Sequence, residues 1–299
     1  MYIYHTVERK SKERWIEKLL FTAAGITILT TIGIVSVLLF EGLDFFQQVS
    51  VWEFLTDKEW TPLFTNKHFG IMPLLAGTLL TSVIAIAVAI PFGLSIAIYM
   101  NEYAPKSFRK RVKPILELLA TVPTVVYGFF ALMVVTPTLQ YFFPQIAGFN
   151  ALSAGIVMGI MIIPFISSMS EDALYAVPKS LREAAYGLGS TRLQTVFKVT
   201  LPAASSGVVV SIILAISRAI GETMIVAIAA GQQPRLTLDP TVPIETITAY
   251  IVQVSLGDVP HGSLEYKTIF AAGLTLLIFT FALNNVSYWI KKKYSQRYE

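Results

Sequence analysis

The sequence predicts an all-α polytopic membrane protein with six transmembrane helices, and three observations carry this prediction. Of the 299 residues, 54% are hydrophobic and only 14% are charged, whereas a typical globular chain has about 25% charged residues. The mean hydropathy is +0.63. The apolar residues form long runs without charge, and the basic residues lie in short clusters between those runs. A chain of this kind has too few charges to cover soluble domains.

A helix needs roughly 20 apolar residues to cross the hydrocarbon core of a membrane. Six spans are predicted, at 19–40, about 71–100, about 115–142, 151–169, about 203–230 and 268–290. The turn residues of 144–150 separate the third span from the fourth. The first run is longer than the apolar region of a cleaved signal peptide, so we expect it to remain as a helix. Gly155 and Gly159 form a G-x-x-x-G pattern that predicts a close helix contact.

The distribution of Lys and Arg among the loops supports this count. The predicted inner loops and tails hold 18 of the 23 basic residues, the outer loops hold four, and Arg218 lies within a span. The positive-inside rule therefore predicts that both termini are cytoplasmic. We divide the chain into an N-terminal part with the first span and an outer loop (1–70), a core of five transmembrane helices (71–290) and a cytoplasmic tail (291–299). The two larger outer loops, 41–70 and 231–267, are expected to be ordered caps.

Several kinds of chemistry are excluded by the sequence. No segment reads G-x-x-x-x-G-K-[ST], so a nucleotide-phosphate loop is absent. The chain has no cysteine, which excludes thiolate metal sites and a cysteine nucleophile. Its three histidines lie in tails or loops. We therefore expect no enzyme activity, no cofactor and no bound nucleic acid, which leaves a channel, a transporter or a subunit of one.

The predicted cytoplasmic loop 178–202 between the fourth and fifth spans reads as two short helices around a glycine turn. Ser180 and Glu183 form an S-x-x-E capping box at the start of the first helix, and Thr191 with Gln194 repeats the pattern in the second. One face of the first helix is apolar: Leu181, Ala184, Ala185 and Leu188. This hairpin either docks into a groove of another protein or lies on the membrane surface with Glu183 only as a cap.

Two charges interrupt the fifth predicted span. Arg218 and Glu222 are spaced i and i+4, which places them on one face of a continuous helix. Arg218 would lie roughly 20 Å along that helix, where an arginine costs about 2.5–3.5 kcal/mol. Such residues mark a pathway or form a self-neutralising structural pair. In the first case Arg218 would bind an oxyanion in bidentate fashion, and Glu222 would accept a hydrogen bond from a protonated oxygen, which phosphate has and sulfate lacks.

The loop also carries a specific resemblance. Glu183-Ala184-Ala185, Gly189 and the segment Val199-Thr200-Leu201-Pro202 resemble the EAA loop of ABC importer permeases, with Val199 in place of the usual isoleucine. The resemblance implies the type I ABC importer permease fold and a coupling helix that inserts into an ATPase subunit. The coupling residues it implies are Glu183, Ala184, Ala185, Gly189, Leu201 and Pro202.

Three further segments, 69–78, 121–129 and 217–222, are similar to the PstC permeases of bacterial phosphate importers, and the similarity extends over about 69–290. It implies a lipid-embedded subunit of the bacterial cytoplasmic membrane that binds phosphate through Arg218 and Glu222. The implied partners are a PstA-like second permease, two PstB-like ATP-binding subunits and a PstS-like phosphate-binding protein. PstA permeases share this plan. A permease for another oxyanion or solute and a stand-alone ion-coupled transporter or channel are the alternatives.

Overall fold

The computed structural model describes the backbone of residues 2–294 and the side chains of residues 13–290. This part of the chain is helical with two isolated β-bridges and no strand. The α-helices are α1 (Tyr2–Gln48), α2 (Val51–Thr56), α3 (Met72–Ile98), α4 (Lys106–Thr121), α5 (Thr124–Phe130), α6 (Thr136–Phe142), α7 (Ala151–Tyr175), α8 (Lys179–Gly187), α9 (Arg192–Thr195), α10 (Leu201–Ala203), α11 (Ser205–Ile220), α12 (Met224–Ala229), α13 (Ile247–Leu256) and α14 (Leu264–Tyr294). The end of the tail predicted for 291–299 lies outside the described residues.

The six predicted spans are confirmed. Within residues 2–294, five helical segments are long and apolar enough to cross a membrane: Glu13–Gln48, Met72–Tyr103, Thr124–Phe142, Ala151–Tyr175 and Leu264–Ile290. The sixth is a broken span, in which Arg192–Ala203 and Ser205–Ile220 meet at an angle of 72°. The architecture is thus an all-α bundle in which α1 lies at the periphery and packs mainly on α14.

The predicted start of the third span, near residue 115, is wrong. Helix α4 ends at Thr121, and a separate helix begins at Thr124. The break follows from Pro123, since the residue before a proline is driven out of the helical region, and Val122 has a ψ of 130°. Helix α4 carries the basic cluster of 106–113 and has no buried residue, so it is an amphipathic surface helix.

The fourth span is six residues longer than predicted, because α7 continues through two carboxylates to Tyr175. Glu171 is buried, and a carboxylate there requires a positive partner. Arg109 approaches its Oε1 to 2.5 Å, and the Lys113 Nζ lies 3.7 Å from its Oε2. Helix α4 therefore supplies the charges that let α7 extend.

The fifth span is not the continuous helix predicted for 203–230. It bends at Ala204 and breaks again over 221–223, between α11 and α12. The first bend follows Pro202, which lacks the N–H needed to continue the backbone ladder.

Three π-helical turns each end two residues before a proline. They are Tyr99–Tyr103 before Pro105, Ala131–Val135 before Pro137 and Val196–Thr200 before Pro202. A proline leaves one carbonyl of the preceding turn without its usual donor, and a local π adjustment can satisfy the freed backbone groups.

Helices α3 and α7 form the closest helix pair in the bundle, and the predicted G-x-x-x-G contact is confirmed. A Cβ atom at Gly155 would lie 2.7 Å from Ile84, and one at Gly159 would lie 2.7 Å from the carbonyl oxygen of Ala85. From the other side, a Cβ at Gly93 would lie 2.9 Å from Ile166. Glycine is required at these positions because only a hydrogen fits between the helices.

The predicted outer loops are ordered caps. Phe45, Phe54, Trp60, Phe69 and Tyr250 are buried together with edge-to-face ring contacts, of which the Trp60–Tyr250 pair has a centroid distance of 5.0 Å. The backbone at Gly70 packs directly against the backbone at Asp57, since a Cβ at Gly70 would lie 2.2 Å from the carbonyl oxygen of Asp57. Aromatic pairs of this kind stabilise beyond the area they bury.

We predict that Gly159→Ala lowers the melting temperature of the purified protein. The added methyl group meets a backbone oxygen that cannot turn away, and overpacking of this kind costs about 1–3 kcal/mol. Gly25→Ala in α1 is the matched control, since a Cβ at Gly25 meets nothing within 4 Å. Equal melting temperatures for the two variants in detergent would contradict the proposed helix contact.

An ion pair in the first outer loop predicts a pH dependence. The Asp57 Oδ2 lies 2.9 Å from the His68 Nδ1, and this hydrogen bond raises the pKa of His68 above 6.5. Burial raises the pKa of Asp57, but hydrogen bonds, above all the one with His68, outweigh it and lower that pKa below 3.8. When the pKa of a histidine is higher in the folded than in the unfolded state, its protonation stabilises the fold. This stabilisation is complete at pH values below the unfolded-state pKa and is lost as pH rises through the folded-state pKa.

We therefore expect hydrogen exchange in residues 57–70, corrected for intrinsic rates, to accelerate as pH rises through the folded pKa of His68. His68→Gln keeps a hydrogen-bonding side chain but does not titrate, and it should abolish this pH dependence. Identical pH profiles for the two proteins would show that the pair does not stabilise the loop.

Candidate functional site

Arg218 lies in the last turn of α11, close to halfway between Ser205 and the end of α12 at Ala229. Its side chain is exposed in this chain, and the guanidinium carbon lies 5.8 Å from the ring centroid of Phe165 on α7. Among the side chains of residues 13–290, no carboxylate lies within ion-pair distance of Arg218. The contact with Phe165 orients the guanidinium and leaves its hydrogen-bonding edge available.

The predicted placement of Arg218 and Glu222 on one face of a continuous helix is wrong, and the alternative of a self-neutralising pair between them is not seen. Helix α11 ends at Ile220, and Glu222 lies in the break that follows. Its Oε1 accepts hydrogen bonds from the backbone N–H groups of Met224 (3.1 Å) and Ile225 (3.3 Å), the first two residues of α12. The carboxylate thus satisfies free donors at a helix start, where negative charge is stabilised.

The break is also held from the outer side of the bundle. The Thr248 hydroxyl donates a 2.7 Å hydrogen bond to the backbone oxygen of Glu222, and the Thr78 hydroxyl on α3 accepts one from the N–H of Ile247. A Cβ atom at Gly77 would lie 2.1 Å from the carbonyl oxygen of Glu245, so this loop fits directly against α3. These contacts hold the break at Glu222. Gly77 and Thr78 lie in the segment 69–78 that carries the resemblance, whereas no sequence pattern singled out Thr248.

The segment 121–129, which carries part of the resemblance described above, packs against α12. The Tyr127 hydroxyl donates to the carbonyl oxygen of Leu119 at 2.8 Å and so ties α5 to the end of α4. A Cβ at Gly128 would lie 2.9 Å from Ile228 and 3.2 Å from the carbonyl oxygen of Met224. The motif therefore supports the short helix that Glu222 caps.

This arrangement is suited to binding an anion. If the predicted span places Arg218 within the bilayer, its guanidinium cannot face lipid without a cost, and its exposed face is expected to meet water or another protein. The hydroxyl of the preceding residue, Ser217, is buried and has no hydrogen-bond partner within the described part of the chain. An oxyanion beside Arg218 would supply the missing negative charge.

The coupling loop 178–202 has the predicted shape. Helices α8 and α9 flank a turn at Gly189, whose φ of +82° favours glycine. The Thr191–Gln194 capping box is confirmed, but the Ser180–Glu183 box is absent, because α8 begins at Lys179 and its N-cap is Pro178, which has no capping side chain.

The predicted docking residues divide by exposure. Glu183, Ala184 and Gly189 are exposed, whereas Ala185 is buried. Leu188 is 88% exposed at the tip of the loop. Leu201 and Pro202 form α10, beside the 72° bend into α11. An apolar side chain held out in this way is typical of a surface that another protein covers.

Arg182 connects this loop to two transmembrane helices. Its guanidinium lies 3.3 Å from the Glu102 Oε1, just after α3, and donates a 2.7 Å hydrogen bond to the carbonyl oxygen of Leu174 near the end of α7. The Arg182 and Glu102 side chains are only 16% and 6% exposed. A movement of α8 therefore acts directly on the ends of α3 and α7. Sequence patterns gave no sign of this contact.

A family model described as "Binding-protein-dependent transport system inner membrane component" matches residues 89–299. The chain belongs to this family.

Curated relatives agree with this assignment. The chain is 36% identical over 265 residues to the probable ABC transporter permease protein YqgH of Bacillus subtilis, covering 88% of this chain and 84% of the relative. It is 35% identical over 282 residues to the phosphate transport system permease protein PstC of Mesorhizobium japonicum (87% and 84%). It is 33% identical over 296 residues to PstC of Xylella fastidiosa (92% and 89%).

Solved structures of ABC importers share the fold. A bacterial alginate ABC transporter matches with a TM-score of 0.61 and 20% identity, covering 92% of this chain and 95% of the other. The MetNI methionine ABC transporter matches with a TM-score of 0.56 and 18% identity, covering 76% and 95%. The predicted type I importer permease fold is confirmed.

The protein is therefore a permease subunit of an ABC importer, a multi-pass protein of the cytoplasmic membrane. Permeases of this class work with ATP-binding subunits and a binding protein. Docking of the loop 178–202 on an ATP-binding subunit and its lying on the membrane surface both stay predictions.

We predict that Arg182→Met uncouples ATP hydrolysis from transport. The variant keeps an apolar stem but loses the contacts with Glu102 and Leu174, so the push on α8 no longer reaches α3 and α7. Because removing one partner of a buried ion pair is costly, solute import per ATP hydrolysed should fall roughly tenfold or more in proteoliposomes of the full complex.

The matched control is Lys179→Gln, which removes an exposed charge from the same helix. Glu102→Gln should reproduce the uncoupling, and the double variant should be no worse than either single one. Additive losses would mean that the two side chains act separately and that the ion pair is not the link.

Proposed function

We propose that this permease is the PstC-like subunit of an ATP-driven phosphate importer and that Arg218 binds the translocated phosphate. The observation that carries the proposal is an exposed arginine without a carboxylate partner among the described side chains, within the predicted fifth span. A planar guanidinium binds phosphate oxygens in bidentate fashion.

The relatives favour phosphate over other solutes. Several are named phosphate transport system permease proteins and resemble this chain over most of its length. The solved neighbours move methionine or alginate with the same fold, so the fold does not determine the solute. The choice rests on the site and on these relatives together.

The exposed face of Arg218 argues for a second permease. A single chain would present this charge to lipid, whereas a PstA-like partner would enclose it in a shared aqueous pathway. Two PstB-like ATP-binding subunits would engage the coupling loop through Glu183, Ala184 and Gly189. A PstS-like protein would deliver phosphate from the outer side.

Glu222 has two compatible roles in this proposal. Its Oε1 caps α12, and the residue as a whole is 9% exposed. We propose that it also accepts a hydrogen bond from the P–OH group of phosphate, which sulfate lacks at neutral pH. The cap would hold the carboxylate in place for this contact.

We predict that Arg218→Gln reduces phosphate uptake roughly 10- to 100-fold, because hydrogen bonds to charged groups contribute about 1.5–3 kcal/mol each. Arg218→Lys keeps the charge but loses the planar fork, so its uptake should be intermediate. Glu222→Gln retains an oxygen that can cap α12, and it should lower phosphate uptake while leaving complex assembly intact. Radiolabelled phosphate uptake in cells that depend on this importer measures all three effects.

Arg111→Gln removes an exposed charge on α4 and serves as the control. Co-purification of the four kinds of subunit shows whether each variant assembles. If Arg218→Gln and Glu222→Gln both transport phosphate at the wild-type rate, the site is not the one proposed. If sulfate or another solute replaces phosphate in competition, the permease serves a different substrate.

A further inference from the structure

A cleft of about 280 Å³ opens between the two outer loops, away from Arg218. Its walls come from the segment 60–64, from the turn after α12 and from α13. The residues used below are Trp60, Phe64, Gln232, Glu245, Tyr250 and Gln253. The cleft is smaller than the roughly 300–1,000 Å³ of typical small-molecule sites, so its volume fits a single long side chain better than a free ligand.

One buried carboxylate oxygen at this cleft has no partner within the described residues. Glu245 is 1% exposed, and its Oε1 accepts no hydrogen bond. Burial raises the pKa of Glu245 to about 8. Leaving a buried acceptor unsatisfied costs free energy, so this oxygen indicates a hydrogen-bond donor that arrives from outside.

The backbone fixes Glu245 in this position. The N–H of Ile244 donates to the carbonyl oxygen of Ala230 at 3.0 Å, and the N–H of Ile247 donates to the Thr78 hydroxyl at 3.1 Å. Between these anchors, the carbonyl group of Glu245 lies against Gly77. The chain on both sides is held, and the carboxyl group is therefore part of a preformed wall.

The chemistry of the walls favours a cation. A carboxyl group lies beside the aromatic rings of Trp60, Phe64 and Tyr250, and such surroundings attract ammonium and guanidinium groups through charge and ring quadrupoles together. The amides of Gln232 and Gln253 add neutral hydrogen-bonding groups at the same cleft. An anion, in contrast, would meet Glu245 without a compensating positive charge in the walls.

The outer face as a whole has the charge to match a basic partner. The segments 41–71 and 231–267 contain nine Asp and Glu residues but only four Lys and Arg residues. Opposite potentials guide docking and fix its register. Free phosphate would be repelled by this face, whereas a protein with a basic docking edge would be attracted.

We infer that the Glu245 cleft receives one lysine or arginine side chain of the extracytoplasmic binding protein when that protein docks on the outer face. The inference needs the proposed function only to identify phosphate as the solute that the docking protein carries. Seating of the basic side chain would satisfy Glu245 and tie the docked protein to the loop that also holds Glu222 through Thr248.

The test measures ATP hydrolysis of the full complex in nanodiscs as the phosphate-loaded binding protein is titrated. Glu245→Gln preserves shape but cannot ionise when a basic side chain is seated beside it, and it should raise the concentration of binding protein needed for half-maximal stimulation roughly tenfold or more. Basal hydrolysis and the melting temperature should not fall. Asp258→Asn removes one exposed charge from the same face and should change this concentration about twofold or less.

An alanine scan of the basic residues on the binding protein completes the test. One Lys or Arg substitution should give the same loss as Glu245→Gln and add nothing to it. Unchanged stimulation of the Glu245→Gln complex, or a loss of its basal hydrolysis and stability, overturns the inference. If the phosphate-loaded protein fails to stimulate even the wild-type complex, the proposed substrate is wrong, and the same titration with the cognate binding protein then tests the cleft.

Discussion

The two hydrogen bonds from the N–H groups of Met224 and Ile225 to the Glu222 carboxylate hold the broken span on which the candidate site depends. In hydrocarbon, free backbone donors are costly, and a helix can break there only if protein groups replace the lost bonds. Glu222 supplies them with its side chain, and its own carbonyl oxygen is occupied by Thr248. Because the break directs Glu222 toward α12, Arg218 is left without its expected counter-charge. The positive charge of Arg218 therefore lacks a carboxylate partner among the described side chains because the helix is interrupted at Glu222.

The contacts around this break continue to the coupling loop. Arg182 is bound to the ends of α3 and α7, and these two helices are locked by glycine contacts along their length. At the other end of α3, Thr78 holds the backbone beside Thr248, which in turn holds Glu222. Packed helices of this kind move as units. A push at α8 would therefore reach the Arg218 region by displacement of the α3–α7 pair against α11 and α12, a rigid-body route made of direct contacts.

Much of the fold followed from apolar run lengths and loop charges, because the bilayer imposes both. The six spans were predicted on these grounds, whereas the ordered outer caps were predicted from the Trp and Pro residues of the loops and the turn at Gly189 from its glycines. The breaks were not, since hydropathy is blind to a helix end inside an apolar run: Pro123 separates α4 from α5, and residues 221–223 separate α11 from α12. An i, i+4 spacing predicts a pair only if the helix is continuous. Arg182 pairs with Glu102 80 positions away, Thr248 bonds to Glu222 26 positions away, and Glu245 contacts Gly77 168 positions away, so no local pattern could reveal these contacts.

The distribution of charge along the membrane normal connects the two proposed sites. The outer face is acidic, the centre holds the guanidinium of Arg218, and most basic residues lie on the predicted cytoplasmic side. A free phosphate ion approaching from outside would meet repulsion before it could reach Arg218, and exposed charges act over about 8–10 Å at physiological ionic strength. A binding protein that covers the acidic face removes water and counter-ions from it and brings phosphate past the repulsive region in an enclosed volume. On this view the acidic face favours the docked protein over the free ion, so solute enters the pathway only when its carrier is seated on the Glu245 cleft.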